Sequence, residues 1–264
     1  MSSAKNNEFH GKHVLISGGA CGIGLEFAKC LLSEGASVIL VDKDPSLCRS
    51  AEDLLKPLGQ TTIFCRDLRD PLVRQGIFNE LSQRNITIDI LINNVAIHHH
   101  GSFIDLEWDK IVDMIEVNLL CTLHLTHLFL KAMVKKGRGQ ILNISSTAGL
   151  APCPYLATYS ATKAFINKFS EALAIELEEK NIKVQWICVG ATDTAFFQTA
   201  GMGSLNYVRS VKKMPPELVA SDGIKFLKSG HLWCIIGWRN RLNIFLARLI
   251  PAGLLRKIAR KRFR

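Results

Sequence analysis

Short runs of apolar and β-branched residues alternate with longer segments of helical period along most of the chain. The runs are HVLISG (13–18), SVILVD (37–42), TTIFCRD (61–67), IDILINN (88–94), GQILNISS (139–146), IKVQWICVG (182–190) and HLWCIIG (231–237). Because the runs are apolar on both alternating positions, each predicts a strand buried on both faces. Strands separated by amphipathic helices indicate a parallel sheet that is covered by helices.

Two long helical segments, at about 105–136 and 156–180, separate the strands in the middle of the chain. No Pro/Gly/Ser-rich linker, repeat or low-complexity stretch marks a second domain. We therefore expect one α/β domain at 10–238, doubly wound and of the Rossmann type, with a central, mostly parallel seven-stranded sheet and helices on both faces. Residues 239–264 are expected to form a basic amphipathic helical extension.

Composition predicts a protein with a sizeable core in a reducing compartment. The chain has 264 residues, of which 48% are hydrophobic, enough for a sizeable core. Its eight cysteines form no C-x-x-C pair and no metal-ligand spacing with histidine, so they predict small buried hydrophobes in a reducing compartment and no metal site. The first residues lack an apolar segment, and no run of 18 uncharged apolar residues occurs. We expect a cytoplasmic protein without a membrane-spanning helix.

The first candidate site is the glycine-rich turn after the first predicted strand, in SGGACGIGLEFAKCLL. Gly18, Gly22 and Gly24 allow a tight turn and a close approach of backbone to a pyrophosphate. The helix that begins near Ile23 would offer free N–H groups and the positive end of its dipole. A tight turn between strand and helix without a ligand is the alternative interpretation.

An acidic residue follows this turn at the distance expected for a dinucleotide site. Asp42 ends SVILVD and could accept hydrogen bonds from the adenosine ribose hydroxyls, while repelling a 2′-phosphate. Cys21 occupies a turn position where a basic residue would favour the phosphate of NADP. Lys43, a basic residue next to Asp42, instead favours NADP. The balance predicts NAD rather than NADP, with a solvated strand-end charge as the alternative for Asp42.

The stretch YSATK contains the second candidate site. Tyr159 and Lys163 would stand one helical turn apart on one face. A free phenol has a pKa of about 10, and a nearby ammonium favours the phenolate. Tyr159 is thus a candidate proton donor and acceptor. The alternative is an ordinary helix-face tyrosine beside a solvated lysine.

Three features in order, the turn at 18–24, NNVA at 93–96 and YSATK at 159–163, resemble the short-chain dehydrogenase/reductase family from about residue 10 to 195. The resemblance implies a tetrad of Asn118, Ser146, Tyr159 and Lys163. Tyr159 would move a proton to or from the substrate oxygen, and Lys163 would lower its pKa and hold the nicotinamide ribose. Ser146 would hydrogen-bond the substrate oxygen. Asn118 would hold a water that passes protons towards Lys163, or else satisfy buried backbone groups.

The same resemblance implies further cofactor contacts and shows two departures from the family pattern. Asp67 and Leu68 would lie beside the adenine, Asn94 in the turn after the fourth strand, and Thr192 and Thr194 near the carboxamide. The cofactor set is then Gly18, Gly22, Ile23, Gly24, Asp42, Asp67, Leu68, Asn94, Tyr159, Lys163, Thr192 and Thr194. The departures are NNVA for N-N-A-G, with Val95 and Ala96, and Val189 in place of a proline after strand six. They bear on cofactor affinity or catalytic competence.

Two segments bear on the substrate. HHH at 98–100 follows a cofactor-contacting turn and could therefore border the substrate cleft. A metal site is not expected there, because three successive histidines of a regular element cannot all face one metal. Residues 195–214 could form an apolar lid through Phe196, Phe197, Met202, Leu205 and Tyr207. The alternative for the lid is a helix pair packed on its own domain.

The end of the chain is strongly basic. Nine of the 33 basic residues and none of the 23 acidic residues lie between Arg239 and Arg264, so this segment accounts for most of the net charge of +10. An apolar stripe made of Leu242, Phe245, Leu246, Leu249 and Ile250 runs through it. A basic amphipathic helix could lie on a membrane surface or bind an acidic carrier protein. A helix packed on the sheet is the alternative, and nucleic-acid binding is not expected.

Together these features predict an NAD(P)-dependent oxidoreductase that interconverts a ketone and a secondary alcohol on a hydrophobic, lipid-like or acyl substrate. Two alternatives stand beside it, an NADPH-dependent 3-oxoacyl thioester reductase and a non-catalytic NAD-binding regulator or membrane-surface protein. The long central helices would suit a dimer or tetramer.

Overall fold

Seven parallel strands form the centre of the protein in the part of the chain that the computed structural model describes, residues 8–196 and 211–262. The strands are β1 (His13–Ser17), β2 (Ser37–Asp42), β3 (Thr61–Cys65), β4 (Ile90–Asn93), β5 (Gly139–Ser146), β6 (Ile182–Val189) and β7 (Trp233–Ile235). Their order in the sheet is β3-β2-β1-β4-β5-β6-β7, and every strand pair is parallel. The predicted doubly wound α/β fold is confirmed.

Helices connect the strands and cover both faces of the sheet. They are α1 (Gly22–Ser33), α2 (Pro45–Leu55), α3 (Pro71–Gln83), α4 (Trp108–Ile115), α5 (Cys121–Lys136), α6 (Ala157–Glu176), α7 (Pro216–Ser229), α8 (Trp238–Leu249) and α9 (Ala252–Arg262). A π-helical turn, Glu116–Leu120, joins α4 to α5, and 3-10 turns occupy Thr147–Leu150 and Glu178–Lys180.

Two apolar layers hold the helices on the sheet. On one face, α1, α2 and α7 pack against the strands through side chains such as Phe27, Leu55 and Val219. On the other face, α3, α5 and α6 do so through Ile77 and Phe129 among others. Because the strands contribute apolar side chains to both layers, their continuous apolar runs are explained by burial on two sides.

The order in which strands are added to the sheet reverses at β1 and β4. These two strands are parallel neighbours, although β2 and β3 come between them in sequence. The connections on either side of this point leave in opposite directions and open a crevice at the carboxyl ends of the strands. The register pairs Ser17 with Asn93, so the segments that follow β1 and β4 lie side by side. Both predicted cofactor turns therefore meet at this crevice.

The helical segment Trp108–Lys136 departs from one expectation of the sequence. It is long and apolar enough to cross a membrane by length and composition, because its mean hydropathy is high although charged residues interrupt its apolar run. Half of its most apolar window is buried in the fold. Its α5 part packs on the sheet through residues such as Leu125 and Met133. The apolar residues of this segment therefore contribute to the hydrophobic core.

The cysteines are less uniformly buried than the sequence predicts. Cys48, Cys121 and Cys188 are buried, whereas Cys21 and Cys65 are exposed. Cys21 lies in the glycine-rich turn, which faces the crevice, and Cys65 ends β3 at the edge of the sheet. Position at a site or at a sheet edge accounts for both exceptions.

Candidate active site

One large cavity of about 1130 Å³ opens at the carboxyl edge of the sheet. The glycine-rich turn and Asp42 line one end, and Ser146, Tyr159 and Lys163 line the other. The side chains predicted for cofactor binding and for proton transfer therefore share one continuous space. Its volume is large enough for a dinucleotide together with a substrate.

The glycine-rich turn has the geometry of a phosphate cradle. Gly18 has a φ of +64°, and a Cβ atom there would lie 2.9 Å from the Cα atom of Val95. A Cβ on Gly24 would collide with the carbonyl oxygen of Gly18 and lie 2.8 Å from Nδ2 of Asn94. Gly22 and Ile23 line the cavity, whereas Gly24 lies behind it, where it allows α1 to approach β1 closely. The turn thus fits a pyrophosphate at the start of α1.

Asn94 fastens this turn to the strand that follows it. Its side-chain Nδ2 donates to the carbonyl oxygens of Ser17, at 3.1 Å, and Gly18, at 2.7 Å. The Ser17 hydroxyl oxygen in turn accepts the backbone N–H of Asn94 at 3.0 Å. Asn94 lines the cavity as predicted, and its main contact in the described structure is with the backbone of the cradle.

Asp42 presents a carboxylate beside the cradle. One oxygen accepts the backbone N–H of Ala20 at 3.2 Å, and the other accepts the N–H of Lys43 at 2.8 Å and that of Asp44 at 3.4 Å. These contacts fix its position at the end of β2, and Cys21 lines the cavity next to it. The arrangement fits the hydroxyls of an adenosine ribose.

Acidic and basic residues alternate around the predicted adenine position. Arg69 donates to the Asp67 carboxylate at 2.7 Å and to the Asp113 carboxylate at 3.2 Å, and its hydrogen bonds hold the pKa of Asp67 below its usual range. Asp67 and Leu68 line the cavity as predicted. Sequence reasoning missed Arg69, whose role depends on a carboxylate that is 44 positions away.

A buried arginine supports the same loop from below. Arg74 donates to the carbonyl oxygens of Leu68 and Arg69, and its Nε donates to Nδ1 of His124 at 2.9 Å. Burial, and then the charge of Arg74, lower the pKa of His124, so the imidazole accepts in its neutral form. Nothing in the local sequence marks Arg74 as more than a helix-surface residue.

Tyr159 and Lys163 lie on one buried face of α6. The Nζ atom of Lys163 lies 5.8 Å from the centre of the Tyr159 ring and donates to the carbonyl oxygen of Ile144 at 2.9 Å. Burial lowers the pKa of Lys163 to about 8. The structure therefore brings together the phenol and the amine that the spacing predicts.

Two neighbouring serines at the end of β5 make different contacts. The Ser145 hydroxyl donates to the carbonyl oxygen of Lys163 at 3.2 Å, deep in the protein. The half-buried Ser146 hydroxyl oxygen accepts the N–H of Ala148 at 3.1 Å, which leaves its own hydrogen to donate. Ser146 lines the cavity, in agreement with its predicted position beside the substrate oxygen.

Asn118 does not line the cavity. Its Oδ1 accepts the N–H of Ile97 at 2.8 Å, and its Nδ2 donates to the Ile97 carbonyl oxygen at 2.9 Å and to the Thr162 hydroxyl at 3.1 Å. It sits in the π-helical turn, where the Asn118 carbonyl oxygen accepts the Thr122 hydroxyl. These contacts match the alternative role in satisfying buried backbone groups, and the proton-relay role stays a prediction.

The first histidine of HHH, His98, lines the cavity beside Tyr159. The His98 ring lies 4.2 Å from the Phe196 ring and 5.4 Å from the Tyr159 ring, measured between centroids. Burial, followed by the charges of His99, His100 and Lys163, lowers the pKa of His98 to about 4. Phe196 is the member of the predicted lid that the structure describes. Phe197, Met202, Leu205 and Tyr207 lie outside the described residues.

The segment after β6 lines the part of the cavity where the carboxamide is predicted. Thr192 and Thr194 line the cavity, and the Thr194 hydroxyl oxygen accepts the N–H of Phe196 at 3.3 Å. Val189, which replaces the family's proline, is buried in the core. A Cβ atom on Gly190 would lie 2.6 Å from Cγ of Asn240, so α8 packs directly on this turn.

Several cavity residues come from the C-terminal helices, which the sequence did not assign to the site. They are Arg239, Asn240, Asn243, Ile244, Ala247, Leu255, Ile258 and Ala259. No sequence signal predicts this contact, because helical period alone does not say which side of α8 and α9 meets the sheet.

The family comparison and the curated relatives agree with this geometry. The model of the family described as short chain dehydrogenase matches residues 12–203. A very-long-chain 3-oxoacyl-CoA reductase of Laccaria bicolor is 35% identical over 180 residues, which cover 66% of this chain and 53% of that protein. Ketoacyl reductase HetN of Nostoc sp. is 30% identical over 246 residues, covering 92% and 84%. The chain thus spans about half the length of the Laccaria reductase.

Solved structures share the whole architecture. A short-chain dehydrogenase from Sphingobium yanoikuyae, in complex with NADPH, superposes with a TM-score of 0.80 at 26% identity over 92% of this chain and 95% of that one. ElxO with NADP bound has a TM-score of 0.76 at 27% identity, over 86% and 97%.

Proposed function

This chain belongs to the short-chain dehydrogenase family, and from that premise we propose that it is an NAD(P)-dependent oxidoreductase interconverting a ketone and a secondary alcohol. One observation carries the proposal. The buried pair Tyr159 and Lys163 faces a cavity that continues without interruption to the glycine cradle and Asp42. A phenol beside an amine supplies proton transfer, and the cradle supplies a place for the group that transfers hydride.

Each residue at the reacting end has a role that follows from its contacts. Tyr159 gives a proton to the carbonyl oxygen during reduction and takes one from the alcohol during oxidation. Ser146 donates a hydrogen bond to the same oxygen as negative charge develops there. Lys163, held by the Ile144 carbonyl, places positive charge beside the phenol and favours its ionised form. A dinucleotide held by the glycine cradle would supply the hydride.

The substrate we propose is hydrophobic, with an acyl or lipid-like chain. The cavity around Tyr159 is lined by apolar side chains, including Cys153, Leu156, Phe196, Ile244, Leu255 and Ile258. Such a lining favours an alkyl chain over a sugar, because burying hydroxyl groups without partners is unfavourable. The printed names of the Laccaria and Nostoc reductases, which refer to oxoacyl and ketoacyl groups, also support an acyl substrate.

We propose NAD as the preferred dinucleotide, on the strength of Asp42. A fixed carboxylate beside the ribose attracts hydroxyl hydrogens and repels a phosphate. Of the basic side chains at this end of the cavity, Arg66 is paired with Glu80 and Arg69 with Asp67 and Asp113. The two solved structures named above hold NADPH and NADP, and Lys43 also lines this end, so NADP is the alternative to be tested.

An NADPH-dependent 3-oxoacyl thioester reductase is the second candidate function, favoured by those bound dinucleotides and by the relatives' names. One assay separates the candidates. Dinucleotide absorbance is followed with a panel of ketones, secondary alcohols and 3-oxoacyl thioesters, each with both dinucleotides. Turnover of simple ketones with NADH would support the proposed NAD-dependent oxidoreductase. Turnover of 3-oxoacyl thioesters with NADPH alone would favour the thioester reductase instead. No turnover of any compound, with a melting temperature still raised by NAD, indicates the non-catalytic regulator.

Assembly and location stay proposals. Exposed apolar side chains on α4–α6 suit self-association into a dimer or tetramer; they include Ile115, Val134, Phe165 and Ile175. A basic C-terminal segment suits a cytoplasmic protein that contacts a membrane surface or an acidic carrier protein. Light scattering on the purified protein measures its molar mass in solution and so tests the proposed dimer or tetramer.

A further inference from the structure

The C-terminal helices α8 and α9 have two functional sides. On the inner side, Asn240, Ile244, Ala247 and Ala259 line the cavity that holds Tyr159. Ile244 and Ala259 are buried there. The helices therefore form part of the wall around the proposed substrate position.

The outer side is apolar although it faces solvent. Trp238 is 67% exposed, Phe245 60% and Leu249 66%. With Leu242, Leu246 and Leu254, which are also exposed, they form what we call the tail surface. Their spacing in α8 follows a helical stripe, so one face of this helix is apolar and unburied. A contiguous apolar stripe of this kind marks an interaction site rather than an ordinary surface.

The tail surface is surrounded by positive charge. Arg239, Arg241, Arg248, Arg256, Lys257, Arg260 and Lys261 are exposed. In the ranges that the structure describes, none of these cations forms an ion pair with a carboxylate. Residues 239–264 contain no acidic residue at all. The charges are therefore available to an anionic partner.

We propose that the tail surface binds an anionic lipid bilayer and that the hydrophobic substrate reaches the cavity from that bilayer, past α8 and α9. Bulky apolar side chains beside exposed cations are the combination that holds a helix in the headgroup region. Trp238 at the start of the stripe is a residue type that favours the membrane–water interface. An acidic protein would be attracted by the cations but would leave the apolar stripe without a matching environment.

The route for the substrate follows from the two sides of the same helices. Ile258 is exposed and also lines the cavity, so apolar surface continues from the outside of α9 to the inside of the site. An acyl chain dissolved in the bilayer would meet this continuous surface before it met water. This second part of the inference rests on the proposed oxidoreductase function, whereas the binding of lipid does not.

Co-sedimentation of the full chain with vesicles tests the first part. Vesicles of phosphatidylcholine mixed with phosphatidylserine should bind the protein, pure phosphatidylcholine should bind it weakly, and high salt should release it. The variant Phe245→Gln/Leu249→Gln should lower the partition coefficient about tenfold or more, because each side chain loses apolar burial. Leu58→Gln/Leu72→Gln, which changes two exposed leucines elsewhere, is the matched control and should bind as the wild type.

Equal binding by the two variants, or no preference for anionic vesicles, would overturn the lipid assignment. So would binding to an acidic acyl carrier protein without binding to vesicles. The second part compares turnover of a short water-soluble ketone with that of a long-chain ketone supplied in anionic vesicles. We expect the Phe245→Gln/Leu249→Gln variant to lose the second activity about tenfold and to keep the first.

Equal loss of both activities in that variant, or retention of both, would overturn the route past α8 and α9. Vesicle binding without turnover of either ketone would instead refute the oxidoreductase function and, with it, the route. The lipid assignment would remain in that case.

Discussion

The ammonium nitrogen of Lys163 lies 5.8 Å from the centre of the Tyr159 ring, and both side chains are buried on the same face of α6. They are four positions apart in sequence, so one helical turn sets their distance. Lys163 is held from the other side by the Ile144 carbonyl at the end of β5. Strand and helix together fix the amine beside the phenol.

Replacing Tyr159 with phenylalanine should lower kcat by about 100-fold or more, because the proton donor is lost while the ring remains. Binding of NAD, measured by fluorescence titration, should change little. Tyr155→Phe is the matched control, since Tyr155 lies before α6 and packs on His100 with 5.8 Å between ring centroids. Substantial turnover by Tyr159→Phe would contradict the proton-transfer role.

The pH dependence of kcat/KM should report Lys163. Burial lowers the pKa of Lys163 to about 8, and kcat/KM follows ionisations of the free enzyme. If the ammonium form assists Tyr159, kcat/KM should fall as the pH rises through about 8. Lys163→Arg keeps its charge at these pH values, so whatever activity it retains should not fall in that range. The same decline in both proteins would assign the ionisation to another group.

Substituting Asp42 by asparagine should shift the dinucleotide preference towards NADP by about tenfold or more, since a charge-assisted hydrogen bond is weakened and the repulsion of a phosphate is removed. The dissociation constants of both dinucleotides measure the shift. Asp53→Asn, an exposed change on α2, should leave the ratio as it is. An unchanged ratio in Asp42→Asn would show that this carboxylate does not read the ribose.

Asn118→Ala should destabilise the protein by about 1–3 kcal/mol, because the backbone N–H and carbonyl of Ile97 lose their partners. Urea unfolding measures the change. Asn79→Ala on the exposed side of α3 serves as the control and should cost much less. A large loss of kcat without loss of stability would instead favour the proton-relay role.

Acid should destabilise the fold through His98. Its pKa in the folded protein is about 4, below the unfolded value of 6.5. The unfolded chain therefore takes up a proton first as the pH falls, and stability is lost between pH 6.5 and pH 4, by about 3 kcal/mol from this residue. Urea unfolding at both ends of this range should show a smaller loss for His98→Phe than for the wild type. His231→Gln, at an exposed position before β7, should behave as the wild type.

The sequence determined the local parts of this protein. Apolar runs gave the strands because a strand buried on both faces has little room for polar residues, and glycine spacing gave the cradle because only glycine fits its turn. Tyr159 and Lys163 were predicted together because a single helix carries both, and helical geometry is the same in every protein.

Tertiary structure decided what depends on residues far apart in the chain. Asn118 meets Ile97 rather than the cavity, Arg69 bridges Asp67 and Asp113, and Arg74 meets His124 only because α3 and α5 pack side by side. The amphipathic period of α8 and α9 was visible in the sequence, but not its orientation. Folding turned Ile244 inward to the cavity and the tail surface outward, because the direction in which a helix leaves its strand is set by packing and not by local sequence.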